Sequence, residues 1–322
     1  MNYKELAEQA LDYIVEQRRW CHQNPELSLE EVQTTEHIAA ELQKMGYTEI
    51  QRFPDHTGLC AMLRGGKAEK ACRTVALRAD IDALPVEEKT GLPFASRNKG
   101  VMHACGHDAH VAIALGTARI LMESRSEWSG CVKFFFQPAE ETTGGALPMV
   151  EAGCMESPHV DYVTGLHVMP THETGEIEIR YGDLNASSDE IHIKVHGKSC
   201  HGAYPDTGVD AIVMAAAVIN SLQTLVSRCI SPLDSAVLTL GTIHGGTAGN
   251  IVAAETDMTG TLRTTDPAVR EKIIDAMTRQ VSCTCHGHWE ASGEVVDCPG
   301  VYCRPHKLRR NRGCAGGDSR RG

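Results

Sequence analysis

Residues 74–82 read TVALRADID, in which a short apolar run at 74–79 is followed by two aspartates. Similar apolar runs follow at 131–136 and 162–168. The segment between the first two runs carries apolar side chains at helical spacing, namely Val111, Leu115, Ala118 and Met122. Because strands and helices alternate along this part of the chain, we predict an α/β fold with a mainly parallel sheet.

Polar side chains stand where these runs end. Asp80 and Asp82 close the first run, Glu140 and Glu141 follow the second, and His167 lies in the last turn of the third. Open α/β sheets place their sites beyond the carboxyl ends of the strands. We therefore expect these side chains at one edge of the sheet.

The pattern changes near residue 185. The order of predicted elements becomes βαββαβ, which is typical of a ferredoxin-like unit. The segments are strand 188–196, helix 210–227, strands 236–244 and 255–263, helix 267–285 and strand 289–296. The prediction is thus a main α/β domain at 1–184, a second domain at 185–296 and an aberrant basic tail at 297–322.

Length, charge and composition limit the possible functions. A chain of 322 residues fits two domains. A net charge of -11 argues against nucleic acid or an anionic membrane as partner, so we expect a small-molecule substrate. The first residues lack an apolar signal stretch, and no run approaches membrane-spanning length, so we expect a cytoplasmic protein. The 13 cysteines should then be mostly free thiols.

The densest cluster of possible metal ligands is MHACGHDAH at 102–110. A glycine-containing loop before the helix could aim Cys105 and His107 at one point, and a thiolate with an imidazole suits a borderline-soft divalent ion. The alternative is a core thiol beside surface histidines at a helix start.

Two adjacent carboxylates, Glu140 and Glu141, follow a buried strand. Neighbouring side chains of extended backbone point to opposite sides, so one can bind a metal while the other reaches a water. Such a carboxylate can act as a general base. The alternative is a solvated pair at a helix start, where the helix dipole favours acids.

Three further candidates are isolated in sequence. His167 follows the third run, and a lone histidine is often structural. His201, in CHGAYP, and Asn250, in GGTAGN, stand on loops of the second domain. Glycine, proline and asparagine also favour turns that have no function, which is the alternative interpretation for both loops.

Taken together, the motifs resemble the M20 metallopeptidase family, in particular its amidohydrolase branch with hippurate hydrolases and auxin-conjugate hydrolases. The resemblance covers roughly residues 18 to 296. The matching segments, in chain order, are RR at 18–19, HQNPELS at 22–28, RADIDALP at 78–85, CGHD at 105–108, QPAEE at 137–141, GLH at 165–167, HGAYP at 201–205 and GGTAGN at 245–250.

This resemblance implies a zinc-peptidase-like catalytic domain with an inserted lid and dimerisation domain at 185–296. It implies two divalent metal ions (Zn, Mn, Co or Ni), a general base at Glu140 and an Asp80 that orients a ligand. It further implies that His201 stabilises the oxyanion, usually in the partner subunit's site, and that Asn250 holds the substrate carboxylate. The implied metal ligands are Cys105, His107, Glu141 and His167.

The implied reaction is hydrolysis of N-acyl amino acids or short peptides to a carboxylate and a free amino acid, by a homodimer. Two alternatives stay open. The first is a dipeptidase or carboxypeptidase of the same family. The second is a non-catalytic protein that keeps only metal binding.

The final segment differs from the rest of the chain, since 304–322 holds seven Lys or Arg and one acid, Asp318. It could be a solvated basic tail, an anion-binding arm or the product of a frameshift. Family members continue past this point and supply one more histidine ligand, and His306 is not assigned to that role. We therefore expect low or absent activity from the chain as written.

Overall fold

The computed structural model describes residues 2–68, 72–142, 144–182, 184–286 and 292–298. The chain forms two compact units, which meet in sequence between Ile177 and Glu178. Most of the final segment that the sequence sets apart, including His306, lies outside the described residues.

Unit 1 begins with three helices, α1 (Tyr3–Gln9), α2 (Leu11–Gln23) and α3 (Val32–Lys44). The following elements are β1 (Glu49–Arg52), β2 (Leu59–Arg64), β3 (Thr74–Asp80), α4 (His107–Glu123), β4 (Cys131–Gln137), α5 (Ala146–Glu151) and β5 (Tyr162–Gly165). The three apolar runs found in the sequence are therefore β3, β4 and β5.

The sheet of unit 1 has the order β1-β2-β4-β3-β5. β3 runs parallel to β4 and to β5, but β2 is antiparallel to both β1 and β4. The prediction of a mainly parallel sheet is thus wrong for half of the pairings, and the sheet is mixed. β1 and β2 were not predicted, because β1 is short and charged and β2 shows no alternation, with both faces largely buried.

Helices α2, α3 and α4 enclose a core against the sheet. The core is built on Phe134 and Phe136 of β4, Leu59 of β2 and Leu115 of α4, all completely buried. Gly116 of α4 lets α2 approach closely, since a Cβ there would lie 2.5 Å from Cγ1 of Ile14. This packing fixes the position of α4, whose first residue is His107.

Unit 2 contains β6 (Asp189–His196), β7 (Cys200–His201), α6 (Ala211–Arg228), β8 (Ala236–Gly245), β9 (Ile251–Val252), β10 (Glu255–Thr264), α7 (Pro267–His286) and β11 (Ser292–Cys298). Apart from the two-residue strands β7 and β9, the elements follow the predicted βαββαβ order. The four long strands form an antiparallel sheet in the order β11-β6-β10-β8. The start of the predicted last strand, 289–291, lies outside the described residues.

Helices α6 and α7 pack on this sheet through an apolar core. By length and composition alone α6 could cross a membrane, with a mean hydropathy of 1.4, so the expectation that no run approaches that length was too strong. One face of α6 nevertheless packs in the core, as expected of a core helix. Its buried residues are Ala211, Met214, Ala215, Val218, Leu222 and Leu225.

Candidate functional site

The side chains singled out in the sequence of unit 1 meet at the carboxyl ends of β3, β4 and β5. Ligand atoms of Cys105, His107 and His167 all lie within 4.8 Å of one another, as do those of His107, Glu140 and Glu141. The Cys105 Sγ is 3.4 Å from Nε2 of His167. Nε2 of His107 is 3.8 Å from Glu141 Oε1 and 4.0 Å from Glu140 Oε2. His107 is therefore the centre of the cluster.

A left-handed glycine makes this convergence possible. Gly106 has φ +88° and directly precedes α4, so the chain turns sharply between Cys105 and His107. A Cβ at this position would lie 2.5 Å from Cγ2 of Val168, which follows His167. Any other residue would therefore strain the turn and push the His167 loop away.

Asp82 fixes the orientation of His107. The His107 Nδ1 lies 2.9 Å from the Asp82 carbonyl oxygen and 3.1 Å from its Oδ1, so it donates its proton there and leaves Nε2 free to accept. The other carboxylate oxygen of Asp82 accepts bonds from the Ser28 hydroxyl and the Glu141 amide. Sequence reasoning gave the orienting role to Asp80, whereas the residue bonded to His107 Nδ1 is Asp82. Asp82 lies two residues beyond Asp80, just past the end of β3, and this position was the available signal.

Asp80 makes a different set of contacts. It accepts hydrogen bonds from Arg78 and from Nδ1 of His110, and its Oδ2 lies 3.7 Å from His107 Nε2. Burial alone would raise the pKa of Asp80, but the bond from His110 and the Arg78 charge lower it to about 2. Nε2 of His110 accepts the Val168 amide at 3.0 Å, so both ring nitrogens of His110 are engaged. His110 therefore links β3 to the loop that carries His167.

The donor set of this cluster fits a divalent metal ion. Nε2 of His107 and Oε1 of Glu141 are buried and have no hydrogen-bond partner among the described residues. Burial raises the pKa of the Cys105 thiol to about 12, and the nearby Glu141 adds to the effect. Burial also raises the pKa of Glu140, against the opposing charge of Arg78. A bound cation would satisfy the unpartnered atoms and favour the thiolate.

A second set of buried polar side chains surrounds Asp108, the second residue of α4. His22 bonds to Asp108 through Nδ1 at 2.8 Å and to Glu88 through Nε2 at 3.1 Å, and Arg18 also donates to Asp108. The hydrogen bond to Asp108 is the main reason why the pKa of His22 is raised. These contacts tie α2 to the residue that follows His107.

The two remaining predicted site residues, His201 and Asn250, lie together in unit 2. β7 pairs with β9, and the Gly202 amide donates to the Asn250 carbonyl oxygen at 2.7 Å. Nδ1 of His201 accepts the Ala203 amide, so a neutral His201 carries its proton on Nε2. An exposed imidazole with a proton on Nε2 is a hydrogen-bond donor, which an oxyanion requires.

The family model described as Peptidase family M20/M25/M40 matches residues 76–295. The chain belongs to this family. Thermostable carboxypeptidase 2 of Saccharolobus solfataricus is 42% identical over 90% of this chain and 73% of that protein. An N-acyl-L-amino acid amidohydrolase of Geobacillus stearothermophilus is 41% identical over 88% of this chain and 76% of that protein.

Among solved structures, a Bacillus subtilis protein described as a dinuclear metal binding peptidase from the M20 family has a TM-score of 0.75 and 35% identity. The similarity covers 92% of this chain and 74% of that one. The resemblance to M20 enzymes drawn from the sequence motifs is thus confirmed. As a member of the M20 family, this protein is a hydrolase of amide bonds with an α/β metallohydrolase fold.

Proposed function

We propose that this M20 enzyme hydrolyses the amide bond of N-acyl amino acids with two divalent metal ions held by Cys105, His107, Glu141 and His167. The observation that carries the proposal is the pair of buried, unpartnered atoms, His107 Nε2 and Glu141 Oε1, which face each other at 3.8 Å. Leaving such atoms without a partner in a dry environment is unfavourable, so a site of this kind is built for a ligand.

Two divalent ions in such a site polarise a carbonyl and lower the pKa of water. The Glu140 carboxylate, whose side chain is 40% exposed, can take the proton of the attacking water and pass it to the nitrogen of the leaving amine. A C–O bond forms, the C–N bond breaks, and the products are a carboxylate and a free amino acid. The raised pKa of Glu140 suits it to the second of these proton transfers.

The relative with the amidohydrolase name supports this substrate class. The relative with the carboxypeptidase name supports a second candidate, hydrolysis of short peptides at their carboxyl end. Both candidates use the same cluster and differ in the acyl group. In both, we propose that the His201 imidazole stabilises the oxyanion and that Asn250 holds the substrate carboxylate.

The test is an assay of the purified protein with excess Mn²⁺, Co²⁺ or Zn²⁺ on matched N-acetyl amino acids and dipeptides. We expect faster release of amino acid from the N-acetyl substrates. A rate that is low but disappears in Glu140→Gln agrees both with this proposal and with the low activity expected from the sequence. The matched control is Glu151→Gln at the exposed end of α5.

Faster cleavage of dipeptides would replace the first candidate by the second. Hydrolysis that is equally fast in Glu140→Gln, or tight metal binding with no hydrolysis of either substrate, would contradict the proposal. The second of these results would favour a protein that only binds metal.

We further propose that unit 2 is the lid and the contact of a cytoplasmic homodimer. Support comes from β8, an edge strand of the unit 2 sheet with mostly exposed side chains. Light scattering coupled to size-exclusion chromatography should give twice the chain mass. A monomer at micromolar concentration would contradict the dimer.

A further inference from the structure

The turn that carries Glu140 contains a strained residue. Ala139 has φ +49°, in the left-handed region that residues other than glycine rarely adopt, and it is 1% exposed. Such strain persists only where surrounding contacts hold it, and it often occurs at functional sites. The residues that hold Ala139 therefore determine where Glu140 and Glu141 point.

The contact that holds Ala139 directly is a buried carboxylate from a distant part of the chain. Oε1 of Glu31 accepts the Ala139 amide at 2.8 Å, and its Oε2 accepts the Thr57 hydroxyl. Glu31 is completely buried. The backbone around it is fixed as well, since its carbonyl oxygen accepts the Thr35 hydroxyl.

Glu31 stands at the N-cap of α3, the position whose side-chain oxygen often accepts a hydrogen bond from the second or third amide of the helix. Here the side chain makes no such bond. The amides of Gln33 and Thr34 donate instead to the Glu26 carboxylate. The Glu31 carboxylate is thus directed away from α3 and towards the turn at Ala139.

The rest of the turn is held in place by close packing. A Cβ on Gly58 would lie 2.6 Å from Cδ of Pro138, and one on Gly145 would lie 1.8 Å from the Pro138 carbonyl oxygen. On the other side of Glu140, the Glu141 amide donates to Asp82 Oδ2 at 3.0 Å. Two buried carboxylates, Glu31 and Asp82, therefore hold the amides on either side of Glu140.

We propose that Glu31 is a positioning residue, which holds Ala139 in the left-handed conformation so that Glu140 and Glu141 face His107. The inference rests on the proposed function, since it gives Glu140 the proton transfer and Glu141 a metal. Glu31 itself does not take part in the reaction. It acts through the single hydrogen bond to the Ala139 amide.

The first test compares Glu31→Ala with Glu31→Gln. An error of about 1 Å in the position of a catalytic group can lower the rate on the order of 10²-fold, so we expect a loss of that size in kcat for Glu31→Ala, with KM changed less than about twofold. Glu31→Gln keeps an oxygen that can accept the Ala139 amide and should keep most of the activity. The control is Glu41→Ala, a buried acid of α3 that bonds to Tyr13 and Lys44.

A second variant tests the conformation itself. Glycine adopts a positive φ at little cost, so Ala139→Gly should restore part of the kcat lost in Glu31→Ala. A merely structural role of Glu31 predicts no such recovery. If Glu31→Ala does not fold, Thr57→Val removes one partner of the carboxylate and should lower kcat several-fold, because Glu31 is then less firmly held.

Titration with Co²⁺ separates this inference from the proposed function. Because Glu141 shares the turn, Glu31→Ala should bind Co²⁺ about 10- to 100-fold more weakly than the parent, while Glu41→Ala binds as the parent does. If Glu31→Ala binds Co²⁺ more weakly than the parent, but neither the parent nor any variant hydrolyses a substrate, the proposed function is contradicted and the positioning role of Glu31 stands. Parent-like kcat and Co²⁺ affinity in folded Glu31→Ala or Thr57→Val would overturn the inference. Equal losses of kcat and Co²⁺ affinity in Glu41→Ala would also overturn it. So would a kcat of Glu31→Ala that does not recover when Ala139→Gly is added.

Discussion

The two units of this enzyme differ in what they bury. Unit 1 encloses many ionisable groups, which are His22, Glu31, Glu41, Asp80, Asp82, His103, His107, Asp108, His110 and Lys133. Of the residues described in unit 2, Asp189 and Arg270 are the charged residues that are buried, and they form an ion pair in an apolar core. The described core of unit 2 is therefore mainly apolar. In unit 1, keeping polar atoms away from water lowers the free energy of unfolding.

The imidazole of His103 shows how far unit 1 departs from ordinary cores. Both of its ring nitrogens are buried and lack a hydrogen-bond partner within the described ranges. Burial lowers the pKa of His103 to about 4, so the ring is neutral at physiological pH. Among the described residues, unit 1 holds such unpartnered atoms on His56, His103, His107 and Glu141, the last two being proposed metal ligands, whereas unit 2 holds one on Thr261.

The largest effect should come from the proposed general base in unit 1. Glu140→Gln removes the proton acceptor and should lower kcat by about 10² to 10⁴-fold. Because Glu140 is not a proposed ligand, the Co²⁺ affinity should stay close to that of the parent. Steady-state kinetics and a Co²⁺ titration on the same preparation provide the measurement. A loss of metal together with activity would instead make Glu140 a ligand.

The next effect concerns the ion pair of unit 2. Arg270→Ala leaves the Asp189 carboxylate buried without its guanidinium and should reduce the free energy of unfolding by about 3–5 kcal/mol. Urea unfolding followed by circular dichroism measures this loss. Replacing both partners, as Asp189→Leu with Arg270→Met, should recover most of the stability. If the single variant is as stable as the parent, the Asp189–Arg270 pair is not a buried charge pair on which the core of unit 2 depends.

A smaller effect is expected at Asp82, which orients His107. Asp82→Ala should weaken Co²⁺ binding about 10- to 100-fold, because the imidazole loses the acceptor for its Nδ1 proton. Asp161→Ala is the matched control, since Asp161 accepts the Thr74 amide at the opposite end of β3. Equal affinities for the two variants would show that Asp82 does not orient a ligand.

The sequence alone predicted the elements that carry strong periodicity. β3, β4 and β5 and the order of elements in unit 2 follow from apolar runs and their alternation. The antiparallel partner β2 could not be predicted, because its continuous apolar run fixes neither strand direction nor neighbour. Asp80, Glu140, Glu141 and His167 could be named from their place after these runs, and Cys105 and His107 from the density of possible ligands at 102–110.

The supporting residues were harder to foresee. Asp82 was visible as an aspartate, but its bond to His107 depends on how β3 approaches the start of α4. Glu31 could not be recognised from the sequence, because an acid at the start of a helix is ordinarily explained by the helix dipole. Only the folded chain shows that its carboxylate reaches the Ala139 amide, which is 108 residues away in sequence.

The smallest expected effect is on the pH dependence of stability, and it arises from a buried histidine of unit 1. Burial lowers the pKa of His37 in α3 to about 4, so between pH 6.5 and pH 4 the unfolded chain binds a proton that the folded unit 1 does not. Stability should therefore fall as the pH decreases through this window, by on the order of 1 kcal/mol after allowing for solvent screening. His37→Phe keeps the stacking on Trp20 and should flatten this part of the stability profile. An unchanged slope would contradict the assignment.

The most direct test of the central claim is anomalous diffraction from crystals grown with Zn²⁺. We expect two strong peaks about 3.5–4 Å apart, both within bonding distance of Cys105, His107, Glu141 or His167 side chains. Absence of metal from this cluster at full Zn²⁺ occupancy elsewhere, or a single ion bound without Cys105 and His107, would contradict the proposed two-metal site.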